Sequence, residues 1–199
     1  MASTPPALPG TIPGLRLVMS GFFVLLGFAM TELVYLSLGS NVGERESHLR
    51  DAITRLQSTG RVLAVSSFYE TEPVEVTEQP WFLNCAVVLE TQKVPNPLME
   101  DILGIEQEMG RQRTQKKGPR TIDIDILLFG DTILNSPELT IPHPAMHERR
   151  FVLQPLAEIA PELQHPVLKK TIGELLEALP AGQAVRRQAE AQRKRSPEG

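Results

Sequence analysis

Residues Phe82–Thr91 read FLNCAVVLET, and this stretch decides the fold. Its side chains divide into two sets, because alternate residues of a β-strand point to opposite faces. One face would carry Leu83, Cys85, Val87 and Leu89, and the other would carry Phe82, Asn84, Ala86 and Val88. We therefore predict a long strand here, preceded by a loop that contains two prolines.

Segments on both sides of this strand have the spacing of helices and strands. In chain order we predict a strand at Leu33–Leu38, a helix over 45–58, a strand at Val62–Thr71, the strand above, a helix from Leu98 to Met109 and a strand at Thr121–Phe129. Further helices are predicted over 145–159 and 171–179. The stretch Gly39–Gly43 (GSNVG) is predicted to be a turn in which Ser40 or Asn41 caps the first helix. The order βαββαβ predicts a ferredoxin-like α+β fold, an antiparallel sheet with two helices packed on one face.

Length and composition divide the 199 residues into one domain with two appendages. We predict that residues 1–29 lie outside the fold, that 30–180 form the functional domain and that 181–199 are a basic disordered tail. The apolar run Leu17–Met30 has 14 residues, fewer than the roughly 20 that a membrane-spanning helix needs. We favour an upstream extension or a wrongly chosen start codon, with a membrane anchor as the alternative.

The net charge and the cysteine count exclude several functions. A net charge of −4 is not typical of a nucleic-acid-binding protein. A single cysteine, Cys85, excludes an internal disulfide and a zinc site built from a cluster of cysteines. A single cysteine with no disulfide is typical of a reducing compartment, so we expect a cytoplasmic protein. We also expect neither a nucleic-acid partner nor a membrane partner.

The sequence TIDIDILLF at Thr121–Phe129 carries the strongest chemical signal. Residues two apart on a strand share a face, so Asp123 and Asp125 should project together. The opposite, core-facing set would be Ile122, Ile124, Ile126 and Leu128. Two adjacent carboxylates repel unless a cation neutralises them, and Mg²⁺ favours such oxygen ligands. The alternative is a solvated strand face with two unrelated acids.

A basic loop immediately before the acids favours the metal interpretation. Residues 111–120 (RQRTQKKGPR) contain five arginines and lysines. Magnesium on one side and arginines on the other are what a polyphosphate needs. The chain lacks both G-x-x-x-x-G-K-[ST] and G-x-G-x-x-G, so a P-loop and a dinucleotide-binding loop are excluded. Two prolines flank His143, so we do not expect it to pair with His147 at a metal.

Together these segments resemble the 6-hydroxymethyl-7,8-dihydropterin pyrophosphokinase family. The stretch Lys116–Leu127 (KKGPRTIDIDIL) is similar to the signature of that family. Further similar segments follow in the same order: Gly39–Asn41, Phe68–Pro73, Gln79–Asn84, Glu106 with Gly110–Arg111, Pro142–Pro144, Arg149–Phe151 and Pro155–Pro161. The resemblance covers about Leu33 to Leu179.

The resemblance implies transfer of the terminal diphosphate of ATP to the pterin hydroxymethyl group, with release of AMP, in tetrahydrofolate biosynthesis. It implies two Mg²⁺ ions held by Asp123 and Asp125, with ATP and the pterin as the partners. The implied catalytic residues are Arg111, Arg120, Asp123 and Asp125. The implied pterin contacts are Thr71, Pro73, Val74, Phe82, Asn84 and Phe151, with the ring between the two phenylalanines. The implied ATP contacts are Gln79, Glu106, Arg111, Arg113, Lys116, Arg120, Ile126, His143 and Arg149.

Three positions depart from the family pattern, and one alternative function remains. Pro144 stands where some members have an aromatic residue. Lys117 stands where many members have an aromatic residue, and Lys116 stands where many have arginine, whose planar fork lysine cannot match. These differences put loop closure in doubt, but not the metal or pterin residues. The alternative is a non-catalytic ferredoxin-like binding module, such as a small-ligand sensor or an RNA-binding domain.

Overall fold

The computed structural model describes residues 31–73, 79–111 and 118–188. The strands are β1 (Glu32–Ser40), β2 (Arg61–Val65), β3 (Tyr69–Thr71), β4 (Phe82–Thr91), β5 (Asp123–Phe129), β6 (Leu134–Asn135), β7 (Thr140–Ile141) and β8 (Val185–Arg187). The helices are α1 (Arg45–Leu56), α2 (Pro95–Glu108), α3 (Arg150–Ile159) and α4 (Ile172–Ala178), with a short 3₁₀ helix at Met146–Glu148. The predicted strand at Phe82–Thr91 is confirmed with the same bounds.

The main sheet is antiparallel, and its order is β5-β1-β4-β3-β8, with β2 also paired to β4. The region predicted as one strand from Val62 to Thr71 is thus two, β2 and β3, which pair with opposite ends of β4. The order of β1, α1, β2/β3, β4, α2 and β5 confirms the predicted ferredoxin-like α+β fold.

Helices cover both faces of this sheet. Helices α1 and α2 bury Leu49 and Ile102 against the face that carries Leu83, Cys85, Val87 and Leu89. Helices α3 and α4 bury Leu153 and Ile172 against the opposite face. We predicted helices on one face; the second layer forms because β1 and β4 also carry apolar side chains there, namely Tyr35, Ala86 and Val88. Burying each large aliphatic side chain stabilises the fold by about 1.5–3 kcal/mol.

A bulge in β5 corrects one predicted core position. Ile126 pairs with Leu36 and Leu128 pairs with Tyr35, so Leu127 is an extra residue in the ladder. An extra residue reverses the alternation beyond it. Leu128 therefore packs in the core on the α3 side, whereas Ile122, Ile124 and Ile126 pack on the α1 and α2 side as predicted.

The predicted turn at Gly39–Gly43 begins later than expected. Gly39 and Ser40 are the last residues of β1, and Glu44 is the N-cap of α1. The Glu44 side chain accepts no capping hydrogen bond from the first turn of α1. Asn41 is buried and its amide is committed elsewhere, as shown below. The prediction that Ser40 or Asn41 caps α1 is therefore wrong.

The C-terminal region also differs from the prediction of a disordered tail over 181–199. Residues 185–187 form β8, which pairs with β3 at the end of the sheet, and Gln188 N–H donates to the Phe68 carbonyl at 2.8 Å. The order arises because β3 leaves an unpaired backbone edge that this segment completes. Residues 189–199 and the apolar run Leu17–Met30 lie outside the described residues. Among the helices that the structure describes, none combines the length and the apolar character needed to span a bilayer.

Candidate active site

A cavity of about 230 Å³ opens between the sheet and the start of α3. Of the residues predicted for the site, eleven line it: Thr71, Pro73, Gln79, Phe82, Asn84, Arg120, Asp123, Asp125, His143, Arg149 and Phe151. Three other predicted residues do not line it: Arg111 contacts the lining residue Asp123, Glu106 contacts Arg111, and Ile126 is buried in the core on the α1 and α2 side. Val74, Arg113 and Lys116 lie outside the described residues. The sequence analysis missed Ser37, Gly39 and Glu72, which also line the cavity.

The two acids of β5 both face this cavity, as the strand alternation predicted. Asp123 lies opposite Gly39 and Asp125 lies opposite Ser37 in the ladder with β1. Small residues at both β1 positions leave room above the carboxylates. A search for a third residue by alternation along β1 would have found Ser37, because it shares a face with Gly39.

Two arginines hold the outer acid. Arg111 Nη2 lies 2.7 Å from Asp123 Oδ1, and Arg120 Nη1 donates to Asp123 Oδ2 at 2.5 Å. Both carboxylate oxygens are thus fixed by charge-assisted bonds, which are among the stronger polar contacts in proteins. Arg120 Nε is buried, and it has no hydrogen-bond partner among the residues that the structure describes. This donor remains available to an anion.

Asp125 is in a less favourable electrostatic position than Asp123. Burial raises the pKa of Asp125, and the negative charges of Asp123 and Glu106 raise it further. Arg149 and Arg111 lower this pKa without cancelling the increase. The site therefore penalises the ionised carboxylate as it stands, and a bound cation would relieve that penalty.

Glu106 anchors the acid-bearing strand from α2. Its side chain is buried, it accepts from Ile124 N–H at 2.7 Å through Oε1, and it forms an ion pair with Arg111. Burial raises the pKa of Glu106, which Arg111 and the Ile124 N–H oppose. Glu106 thus orients Arg111 and β5 from behind the cavity wall.

Two aromatic side chains, Phe82 of β4 and Phe151 of α3, also line the cavity. The guanidinium carbon of Arg120 lies 5.8 Å from the Phe82 ring centre, and that of Arg149 lies 5.7 Å from the Phe151 ring centre. Asn84 is buried and follows Phe82 on the same face of β4, and its Nδ2 donates to Thr71 Oγ1 at 2.6 Å. These side chains suit a flat ring with polar edges.

His143 contributes a neutral imidazole. Burial, followed by the charge of Arg149, lowers the pKa of His143. Its Nδ1 accepts from Ala145 N–H at 3.2 Å, so the proton of the neutral ring is on Nε2. The backbone N–H of His143 donates to the Leu127 carbonyl of β5 at 2.9 Å. His143 can therefore donate a hydrogen bond to a phosphate oxygen.

Asn41 ties the segment that ends at Arg120 to the loop that contains Gln79 and Pro80. Its Oδ1 accepts from Arg120 N–H at 2.8 Å, and its own N–H donates to the Arg120 carbonyl at 3.2 Å. Its Nδ2 donates to Gln79 Oε1 at 3.1 Å and to the Pro80 carbonyl at 3.3 Å. One buried amide therefore sets the relative position of Arg120 and Gln79.

A cluster of three or more histidine, cysteine or acidic side chains that could hold a metal does not occur in the described ranges. The cavity lining includes the two neighbouring carboxylates of Asp123 and Asp125. Mg²⁺ is usually held by one or two carboxylates together with substrate phosphates and water. The donor set therefore fits a magnesium ion that arrives with a polyphosphate.

The sequence matches a family model described as 7,8-dihydro-6-hydroxymethylpterin-pyrophosphokinase (HPPK) over residues 35–161. The 2-amino-4-hydroxy-6-hydroxymethyldihydropteridine pyrophosphokinase of Bacillus subtilis is 46% identical over 137 residues, 68% of this chain and 82% of that protein. The Pseudomonas aeruginosa protein of the same name is 43% identical over 154 residues, 76% of this chain and 94% of that protein. The folic acid synthesis protein fol1 of Schizosaccharomyces pombe is 44% identical over 152 residues, 75% of this chain. The chain spans only 21% of that longer protein.

Solved structures support the fold. An HPPK-DHPS structure in complex with substrates superposes with a TM-score of 0.59 at 17% identity, covering 74% of this chain and 43% of the other. The Plasmodium falciparum HPPK-DHPS with pterin and p-hydroxybenzoate gives a TM-score of 0.59 at 22% identity, with the same coverage of both chains.

Proposed function

The chain belongs to the 7,8-dihydro-6-hydroxymethylpterin-pyrophosphokinase family, and from this premise we propose that it transfers diphosphate from ATP to 6-hydroxymethyl-7,8-dihydropterin. The family and the names of the bacterial relatives indicate pyrophosphokinase activity on the hydroxymethyldihydropterin in folate biosynthesis. The products would be AMP and the pterin diphosphate. A cytoplasmic location is part of the proposal, and the free, buried Cys85 supports it.

One observation carries the proposal. A single cavity is lined by two strand carboxylates, two arginines, two phenylalanines and a buried amide. The charged side chains are suited to a triphosphate with its cations, and the aromatic side chains are suited to a pterin. We assign Asp123 and Asp125 to two Mg²⁺ ions. When bound, these ions neutralise phosphate charge and orient the attacking and leaving oxygens.

The protein residues orient the reactants and neutralise charge. Phe82 and Phe151 would hold the pterin ring, and Asn84 would bind its polar edge, which fixes the hydroxymethyl group near the acids. The pterin hydroxyl releases its proton to water and its oxygen forms a bond to the β-phosphorus, while the bond from that phosphorus to the AMP oxygen breaks. Arg120 and His143 would donate to phosphate oxygens as negative charge moves to the leaving AMP. Fixing two substrates together removes up to roughly 7–11 kcal/mol of barrier.

We also propose that Arg113 and Lys116, which lie outside the described residues, contact ATP. Val74 would contribute a backbone contact to the pterin. Glu106, Arg111 and Ile126 would support the nucleotide end. The contacts of Glu106 with Arg111 and with the backbone of β5 support this assignment.

The test measures which nucleotide is released. The protein is incubated with ATP, Mg²⁺ and the pterin alcohol, and we expect AMP and no pterin-dependent ADP. Asp125→Asn should lower kcat at saturating substrates by more than tenfold, above about 1.4 kcal/mol of transition-state stabilisation. Because the substitution removes like-charge repulsion, its urea midpoint without metal should not fall below that of the parent protein.

Asp51→Asn is the matched control. Asp51 lies on the exposed face of α1, where its partner is Arg55 at 3.1 Å. Such an exposed pair contributes little, so kcat should stay within about twofold of the parent. Release of ADP would refute diphosphate transfer. An Asp125→Asn enzyme within tenfold of the parent would refute the metal role of that residue.

A further inference from the structure

Residues 179–188 lie beyond the end of the family match at residue 161, yet they return to the rim of the cavity. Arg150 Nη2 donates to the Leu179 carbonyl at 3.0 Å, which anchors the start of this segment. Val185 then pairs with Thr71 in the sheet. The Glu72 N–H donates to the Ala184 carbonyl at 3.1 Å. The segment is therefore fixed at both ends beside two cavity walls.

Gln183 joins these two walls with one side chain. Its Nε2 donates to the Glu72 carbonyl at 3.0 Å, and its Oε1 accepts from Phe151 N–H at 3.2 Å. Glu72 follows β3, whereas Phe151 lies in α3, and both residues line the cavity. A carboxamide carries a donor and an acceptor, so glutamine can make both bonds at once.

The start of α3 explains why Phe151 needs this acceptor. The first N–H groups of a helix have no partner within the helix, and an N-cap side chain usually accepts one of them. The N-cap of α3 is Arg149, whose side chain lines the cavity and whose guanidinium has no acceptor atom. Gln183 supplies the missing acceptor from a segment more than thirty residues further along the chain.

We propose that Gln183 is a positioning residue that sets the spacing between the Phe151 wall and the Glu72–Pro73 wall of the pterin site. It acts through the backbone of these residues and does not touch the substrate. The proposal rests on the proposed function, because the spacing matters for a ring held between the walls. It predicts that substitutions of Gln183 change the KM of the pterin more than the KM of ATP.

The test compares three full-length variants with the parent protein. Gln183→Leu removes both hydrogen bonds, and Gln183→Glu keeps the acceptor for Phe151 and removes the donor to Glu72. Gln164→Leu is the control, because Gln164 is a glutamine outside the cavity whose Nε2 donates to the Lys169 carbonyl at 3.3 Å. The readouts are kcat, the KM of each substrate and hydrogen exchange at the Phe151 amide.

For Gln183→Leu we expect the KM of the pterin to rise roughly tenfold, with the KM of ATP within about twofold. Gln183→Glu should give a smaller rise of about threefold and keep the Phe151 amide protected. The control should match the parent protein. If Gln183→Leu does not fold, Gln183→Glu still tests the proposal through the split between the two KM values.

Two results would overturn the proposal, and they are distinguishable. An active parent enzyme whose pterin KM is unchanged in both Gln183 variants, or whose two KM values rise together, refutes the role of Gln183 alone. A parent protein that forms no AMP with the pterin refutes the proposed function itself, and the role of Gln183 in that reaction with it.

Discussion

Gly39→Ala should damage the proposed pterin site through a single added methyl group. A Cβ at Gly39 would lie 2.6 Å from Asn84 Oδ1 and 3.8 Å from Phe82 Cδ1. Ordinary contacts begin at 3.4 Å, so the Asn84 amide must move by about 0.8 Å. Asn84 is buried at the centre of the sheet and bonded to Thr71, so it has little space into which to move.

The magnitude follows from these contacts. Overpacking of a well-packed site typically costs about 1–3 kcal/mol of stability. Displacement of Asn84 also weakens its bond to Thr71 and its proposed bond to the pterin, each contributing about 1 kcal/mol. We therefore expect the KM of the pterin to rise roughly tenfold, with a smaller change in the KM of ATP.

The assay pairs urea unfolding with steady-state kinetics, and Gly104→Ala is the matched control. Gly104 lies within α2, and a Cβ there would meet no atom within 4 Å among the described residues. The same substitution should therefore stabilise the protein by about 0.5–1 kcal/mol without changing either KM. If Gly39→Ala is as stable as the parent and keeps its pterin KM, the reasoning about Gly39 and Asn84 is wrong.

Three further outcomes follow from the structure. Asn41→Ala should raise the KM of both substrates, because Asn41 fixes the segment that ends at Arg120 and the loop that contains Pro80. A change in one KM alone would contradict this. Burial raises the pKa of the Cys85 thiol to about 12. A disulfide reagent should therefore label Cys85 only in urea that unfolds the sheet. Labelling of the native protein would contradict the burial of Cys85 in the core. Burial alone would raise the pKa of Glu158, but hydrogen bonds, including one from the Tyr69 hydroxyl, lower it below 4.5. This stabilisation is present above pH 4.5 and is lost as the pH falls through the folded pKa. The unfolding free energy of Glu158→Gln should therefore fall less steeply with acid than that of the parent protein. Parallel curves of unfolding free energy against pH for the two proteins would refute the linkage.

The elements that the sequence predicted well are those in which one local pattern decides the structure. The alternation from Phe82 to Thr91 assigned both faces of β4 correctly, because the strand is central and its residues from Leu83 to Leu89 are all buried. The placement of Asp123 and Asp125 on one face followed from the same period. Their proposed roles come from the resemblance and remain proposals.

The features that the sequence did not predict depend on contacts between distant segments. The bulge at Leu127 is a property of the pairing with β1, so periodicity along β5 alone placed Leu128 on the wrong face. Gly39 was assigned to a turn because glycine is common there, whereas its role is to leave space for Asn84. Strand β8 was missed because a short polar segment has no apolar pattern and takes its order from the edge of β3.

The position of β5 at the end of the sheet has a consequence for self-association. An exposed strand edge is a template on which another chain can pair and aggregate. Here the Glu106 carboxylate accepts a hydrogen bond from the Ile124 N–H, and the His143 N–H donates one to the Leu127 carbonyl. Two residues proposed for the nucleotide also shield the backbone of the strand that bears the acids. A substitution of Glu106 should therefore have two effects. It should lower the activity, and it should lower the highest protein concentration at which the protein remains monodisperse.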